Sequence, residues 1–262
     1  RDIPGAWRRT AAGAGLIAAD GAVRTTIFAE MSALAVTTGA INLGQGFPDL
    51  AVPARPADEL DRAMRNGHNQ YAPMTGLPRL REQVALKVAA LYGRDVNADS
   101  EVTIVPGATE AIFCAVQALL RPGDEAIVLD PCYDSYEPAV ELAGGRCVHV
   151  PLELPDFRVD WQRLADAITP RTRLIFINSP HNPSGALLSH ADLDQLAALI
   201  REREIWLISD EVYEHLVFDG MQHASVLAHE ELYQRALVVS SFGKTYHATG
   251  WKTGYVVAPP AL

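Results

Sequence analysis

No stretch of 18 or more apolar residues occurs in the 262-residue chain, so no membrane-spanning helix is expected. The opening "RDIPGAWRRTAAGAGLIAADG" has no proper apolar h-region, and no secretory signal is read from it. Cysteine is scarce: Cys114, Cys132 and Cys147 are an odd, unpatterned set, which gives no disulfide framework and suits a reducing, cytoplasmic setting. They lack zinc spacing, and the eight histidines contain no H-E-x-x-H, so no metal site is expected. A G-x-S-x-G elbow is missing too, which argues against a serine hydrolase. Basic charge is short, with 22 Lys and Arg against 32 Asp and Glu. The resulting net charge of -10 argues against nucleic acid and anionic membrane partners, which need a concentrated basic surface. Internal repeats, low-complexity tracts and inter-domain linkers are absent.

What is present is an ordinary globular composition, 48% hydrophobic and 21% charged, on a chain long enough for a sizeable core. One amphipathic helix is predicted around Ile27 to Ala35 in an Ala- and Gly-rich start. "TGLPRLREQVALKVAALYG", from residue 75, predicts another, with Thr75 as N-cap candidate, Pro78 in the first turn and Gly93 closing it. Short β-rich runs follow at 102–105, 126–130, 146–150, 174–178, 205–209, 236–240 and 254–257. Helical patterns fill several gaps: "GATEAIFCAVQALL", "SYEPAVELAGG", "DWQRLADAI" and "HADLDQLAALIRERE". Strands that are apolar on both faces and alternate with helices predict an α/β fold, a mostly parallel seven-stranded sheet between helical layers. The last strand follows the sixth by about a dozen residues without a clear helix, so it is expected to run antiparallel.

Several short stretches carry chemistry. "GAGLIA" at 13–18 matches a dinucleotide fingerprint, but no strand precedes it and nothing completes a βαβ unit, so it reads as a small-residue arm. In "TIVPGATEAIF" an apolar strand runs into Gly107-Ala108-Thr109 at a helix start, where backbone N–H groups and the dipole suit a phosphate. Pro-Gly at such a turn is also common without a ligand. "NSPHNPSG" holds Asn182 between prolines, as a ligand donor or as a loop that caps a helix. "IWLISDEVYEHLVF" ends a buried strand with Asp210 and Glu211, then Tyr213. A carboxylate there is costly unless it meets a positive group; Glu211 reads as outward-facing or structurally paired, which leaves Asp210 to explain. "SSFGKTYHATGWKTGY" places Lys244 on a loop at a strand end, where open α/β sheets bind ligands, with Lys252 eight residues on. A lone lysine is usually a solvated charge, but a neighbouring cation and partial burial would lower its pKa toward a usable nucleophile. His181, His215 and His247 beside these motifs read as ordinary hydrogen-bonded histidines.

A phosphate cradle, a ring-stacking aromatic, an Asn donor, a strand-end Asp and a lysine amine are the parts pyridoxal 5′-phosphate requires. The sequence resembles the class I aminotransferases of the aspartate aminotransferase fold, within them the methionine, glutamine and kynurenine aminotransferase branch. The stretches that carry this are "INLGQGFPD", "NQYAPMTGLPRLRE", "PGATEAIF", "DPCYDSYEP", "NSPHNPSG", "ISDEVYEHLVF" and "SSFGKTYHATGWKTGY", across residues 25 to 258. The resemblance implies pyridoxal 5′-phosphate as cofactor and transfer of an amino group from an L-amino acid of methionine, glutamine or aromatic type to a 2-oxo acid. It makes Lys244 the Schiff-base lysine and proton-transfer base, and Asp210 the partner of the ring nitrogen. Tyr213 and Asn182 would bond the ring's 3-oxygen, and Tyr133 would stack on the ring. Ala108, Thr109, Ser241 and Lys252 would hold the phosphate. Tyr71 would reach the phosphate of a neighbouring subunit, implying a homodimer. Gly46 and Asn182 would border the substrate.

Lys252 stands where aspartate-type members have Arg, so a bidentate fork becomes a point charge. The family's substrate-carboxylate arginine belongs to a small domain that the resemblance places beyond this chain. The chain does not begin with Met and stops at "YVVAPPAL", directly after a strand, so it reads as cut at one end or both. The expected division is an N-terminal arm with part of the small domain over 1–47, then a cofactor-binding large domain over 48–262, incomplete at its C-terminus. Motifs of this kind do not separate transamination from β-elimination of cysteine S-conjugates, since both start from the same carbanion. An inactive fragment also stays open, whereas a cofactor-sensing DNA reader is disfavoured by the acidic charge.

Overall fold

The computed structural model describes residues 7–44 and 50–262. Its seven strands are β1 (Val102–Val105), β2 (Glu125–Asp130), β3 (Arg146–Pro151), β4 (Thr172–Asn178), β5 (Trp206–Asp210), β6 (Ala236–Ser241) and β7 (Gly254–Val257). They form one sheet in the order β1-β7-β6-β5-β4-β2-β3. Strands β2 to β6 pair in parallel, and β7 is antiparallel to both its neighbours, β6 and β1, as expected from the short connection that precedes it. Ten α-helices accompany them among the described residues: α1 (Trp7–Gly13), α2 (Ile27–Thr38), α3 (Ala54–Arg65), α4 (Pro78–Tyr92), α5 (Ala108–Leu119), α6 (Tyr136–Leu142), α7 (Trp161–Ala167), α8 (His190–Ile200), α9 (Glu230–Tyr233) and α10 (Phe242–Thr245).

Side-chain alternation explains why the strands are apolar throughout. Ile127, Leu129, Ile175, Ile177, Leu207 and Val238 enter one core with α4 and α8. Their neighbours Ala126, Val128, Leu174, Phe176, Ile208, Leu237 and Val239 enter the other with α5 and α6. A strand covered on both faces has no polar side to display.

Differences from the sequence reading lie at element ends. β2 begins at Glu125, one residue early, because that fully buried carboxylate accepts from Arg146, Arg171 and Thr169 at 2.5–3.1 Å. Thr75 is not the N-cap of α4: Leu77 is, with Pro78 at the first helical position. The Thr75 carbonyl instead accepts from Ile104 N–H at 3.0 Å, beside the sheet edge. Lys244 sits on the one-turn α10, not on an open loop, with Ser241 Oγ accepting from Gly243 N–H at 3.1 Å to cap it. The "GAGLIA" stretch follows a helix, and its Ile17 forms an isolated bridge with Val23. No helix of the described residues is long and apolar enough to cross a membrane.

Register delivers the motifs to one edge. Asn178 pairs with Asp210, Asp210 with Val239, Ser241 with Gly254, and Gly254 with Val105. The carboxyl ends of β1, β4, β5 and β6 thus meet the start of β7. Gly254 is the tight point. A Cβ there would lie 2.8 Å from the Ser240 carbonyl oxygen, and 3.0 Å from both the Ala108 nitrogen and the Gly107 carbonyl carbon. All three are backbone atoms and none can rotate away. Gly254→Ala is expected to destabilise the chain by about 1–3 kcal/mol through overpacking. Gly250→Ala, where nothing lies within 4 Å of the added carbon, should change it by less than about 0.5 kcal/mol. Denaturant unfolding of the two variants beside the parent checks this.

Candidate active site

At that edge the residues enclose a cleft of about 460 Å³. Ala108 and Thr109 open α5, Asn182 lies in the turn after β4, Asp210 ends β5, Ser241 ends β6, and Lys244 and Lys252 follow. A larger hollow of about 630 Å³ runs between the Phe157 turn and the start of α8. It shares Asn178 with the cleft but contains neither lysine, and its walls are mainly apolar. Titratable groups converge in the smaller space, and reactive sites are built that way.

Asp210 is 4% exposed. Its carboxylate accepts from Tyr136 OH at 2.7 Å and from Val212 N–H at 3.3 Å, and no cation lies within ion-pair distance among the described residues. Burial drives its pKa up to about 6, against the opposing pull of the Tyr136 and Val212 bonds. Tyr136 is itself fixed, stacked on Phe176 at 4.7 Å between centroids and met edge-on by Tyr133 at 5.7 Å. Asn178 ties the neighbouring turn to β5: its Nδ2 donates to the Asp210 carbonyl at 2.8 Å while its Oδ1 accepts from Asn182 N–H at 2.7 Å.

The opposite wall is positive. Gly107, at φ 86°, caps α5 in a backbone conformation that a side chain disfavours. A Cβ there would sit 3.3 Å from Lys252 Cε and 3.4 Å from its Nζ, so the ammonium lies against the start of α5. Lys252 holds a left-handed conformation, φ 52° and ψ 44°, uncommon for a side-chain-bearing residue. An ammonium beside a helix N-terminus sets two positive ends together, which is unfavourable until an anion lies between them. Lys244 Nζ stands 5.6 Å from the centre of the Tyr213 ring. Its pKa is lowered by burial and by Lys252, with Asp210 opposing.

Of the residues singled out from the sequence, the cleft brings together Ala108, Thr109, Tyr133, Asn182, Asp210, Tyr213, Ser241, Lys244 and Lys252. Tyr71 is fully exposed and outside it. Gly46 lies outside the described residues, as does the 47/48 boundary of the expected division. Glu211 does not face outward: it is 2% exposed and accepts from His223, Ser225, Ser209 and Val226 N–H. Among the described residues no group of three or more His, Cys, Asp or Glu is placed to hold a metal ion. Sequence reasoning missed Tyr136, Asn178, Val212 and Thr249. The Tyr136–Asp210 bond joins residues 74 apart, so no local pattern announces it.

The family model for aminotransferase class I and II matches residues 38–262. The chain belongs to the class I and II aminotransferases. It is 54% identical over 238 residues to methionine aminotransferase from Escherichia coli (strain K12), covering 91% of this chain and 62% of that one. The solved N-succinyldiaminopimelate aminotransferase from Mycobacterium tuberculosis superposes with a TM-score of 0.87 at 44% identity, covering 90% of this chain and 62% of that one. Thermus thermophilus aspartate aminotransferase with maleate gives 0.84 at 34%, covering 91% and 63%. This aminotransferase chain therefore has the aspartate aminotransferase fold and spans about three-fifths of the length of these relatives.

Pyridoxal 5′-phosphate is the cofactor of this family, and the cleft fits it. A buried carboxylate without an ion pair suits a protonated ring nitrogen, and the paired positive ends at Gly107 and Lys252 suit a phosphate. Without a cofactor, Asp210 weakens the fold. The folded chain keeps its proton up to about pH 6, whereas the unfolded chain releases it near pH 4. Folding is therefore linked to proton uptake, and stability falls as pH rises through that window. Asp210→Asn keeps an acceptor for Tyr136 without the charge. In cofactor-free protein it should raise unfolding free energy by roughly 3 kcal/mol at pH 8 and by less than about 1 kcal/mol at pH 4, as measured by denaturant titration.

Proposed function

We propose that the full-length protein is a pyridoxal 5′-phosphate-dependent aminotransferase that moves an amino group from an L-amino acid to a 2-oxo acid. The observation that carries this reading is the opposition of charge across the cleft: a buried, unpaired Asp210 on one wall, and a Lys244 amine with a lowered pKa beside Lys252 on the other. When bound, the cofactor supplies an aldehyde that reacts with amines and a ring that accepts electrons. Ala108 and Thr109 N–H, Ser241 and Lys252 would hold its phosphate. Tyr133 would cover its ring, Tyr213 and Asn182 would bond its 3-oxygen, and Asp210 would keep a proton on its ring nitrogen.

Lys244 is suited to take and return a proton. Burial and Lys252 favour its neutral form, while Asp210 acts the other way, and the neutral amine is the form that can accept a proton. Tyr136 and Val212 fix the Asp210 carboxylate, which keeps the acid wall rigid while the lysine side chain moves. A donor of methionine, glutamine or aromatic type is proposed, and the 54% identity with methionine aminotransferase supports the first of these. The assembly is proposed as a cytoplasmic homodimer. In support, α2 and the chain after it present Ile27, Met31, Leu34, Val36, Ile41 and Leu43 to the outside, and Tyr71 is free to reach a second copy.

Two experiments test the reading. Reduction of the cofactor-loaded protein with borohydride should fix the cofactor on the peptide carrying Lys244; a label on Lys252 reverses the two lysines. Asp210→Asn should retain the cofactor but lose about a hundredfold or more in turnover, roughly 3–4 kcal/mol of barrier, in a coupled 2-oxo acid assay. Near-normal turnover in that variant removes Asp210 from the mechanism.

A further inference from the structure

Directly behind the cleft lies a second buried acid that no part of the proposed chemistry uses. Glu214 follows Tyr213 and is 5% exposed. Its carboxylate accepts from Lys87 Nζ at 2.5 Å, Ser240 Oγ at 2.7 Å and Tyr255 OH at 3.3 Å, and also from Tyr92 OH. Lys87 donates further to Tyr255 OH at 2.6 Å. Four elements therefore meet on one side chain: α4 through Lys87 and Tyr92, β6 through Ser240, β7 through Tyr255, and the turn after β5 through Glu214 itself.

The sequence neighbours of these partners are cleft residues. Tyr213 precedes Glu214 and carries the ring that Lys244 faces; Ser241 follows Ser240 and caps α10, which bears Lys244. Glu214 thus stands where the acid-wall turn is fastened to the strand that delivers the lysine. We propose that the pair of partly buried Lys87 and buried Glu214 is a positioning device, fixing the distance between the Tyr213 turn and α10 and so keeping the Lys244 amine in its partly desolvated place. This rests on the reading of Lys244 as the reactive amine.

A pair of opposite charges at 2.5 Å acts on Lys244 as a near-neutral unit, so its influence runs through geometry and not through charge. The groups lining the cleft around Lys244 are Tyr133, Asp134, Asp210, Tyr213 and Lys252; those around Glu214 are Lys87, Tyr92, His215, Ser240 and Tyr255, with Glu211 and His223 behind Tyr92. Removing one member of a buried pair strands a charge and threatens the fold, whereas replacing both with side chains of similar shape is tolerated. Lys87→Met/Glu214→Gln does the latter. Ser240→Ala is milder and cuts a single strut.

In full-length protein, each variant is compared with the parent by thermal unfolding and by two readouts of the lysine. The first is the pH midpoint for acetylation of Lys244 in cofactor-free protein, quantified by peptide mass spectrometry. The second is the pH midpoint of the visible absorbance of the cofactor-loaded protein. Loosening the turn admits water, so both midpoints should move, with the acetylation midpoint rising by about one pH unit in the double variant and by less in Ser240→Ala. A folded double variant with both midpoints at the parent's values overturns the inference. If that variant does not fold, an unmoved Ser240→Ala overturns it instead. Failure of the underlying reading is a separate result: the parent itself would carry no borohydride-fixed cofactor on Lys244.

Discussion

The arrangement rests on one electrostatic constraint, a carboxylate held in the protein interior without a cation. Asp210 is 4% exposed, and its partners are a tyrosine hydroxyl and a backbone N–H, which steady it but do not neutralise it. Taking an unpaired carboxylate out of water raises its pKa or requires a counter-charge from elsewhere. The mirror-image constraint holds across the cleft, where Lys252 and the N-terminus of α5 crowd two positive ends together. Each wall is unfavourable alone. A single bound molecule, cationic at one end and anionic at the other, relieves both, and this polarity fixes its direction in the cleft.

The segment "DEVYE" shows how one short run supports three different roles for acids. Asp210 faces the cleft with little compensation. Glu211, next in sequence, points the other way and is held by His223, two serines and a backbone N–H. Glu214 is matched by Lys87, and its pKa is lowered by the partners that oppose burial, Lys87 foremost among them. The strain is thus confined to the carboxylate that faces the ligand space. The hydrogen bonds to Glu211 and Glu214 behind it give the rigidity that a poised carboxylate without a counter-charge requires.

What was legible in the sequence divides along local and long-range physics. The strand interiors were legible because runs such as "LIFIN" and "ALVVS" are apolar on both faces and bounded by turn residues. Strand ends were not: Glu125 belongs to β2 because arginines 21 and 46 residues away satisfy it. Thr75 carried a local capping signal that lost to a backbone bond with Ile104. Lys244 and Asp210 stood out through their position after apolar runs, which is a local fact. Tyr136, Asn178 and Lys87 act through partners 74, 32 and 127 residues distant, and nothing around them in the sequence marks that use.

The antiparallel β7 explains how two lysines only eight residues apart come to line one cleft. A parallel successor to β6 would need a crossover of a dozen or more residues and would begin at the far edge of the sheet. Direct reversal instead keeps residues 241 to 254 at the carboxyl edge, where Ser241 pairs with Gly254. The same turn forces Lys252 into its left-handed conformation and sets its ammonium against Gly107. Gly254 then lies too close to the Ser240 carbonyl and the start of α5 for any side chain. Placement of the Lys252 ammonium beside the helix end is therefore a consequence of strand direction, and the glycines at 107 and 254 are what let the backbones approach closely enough for it.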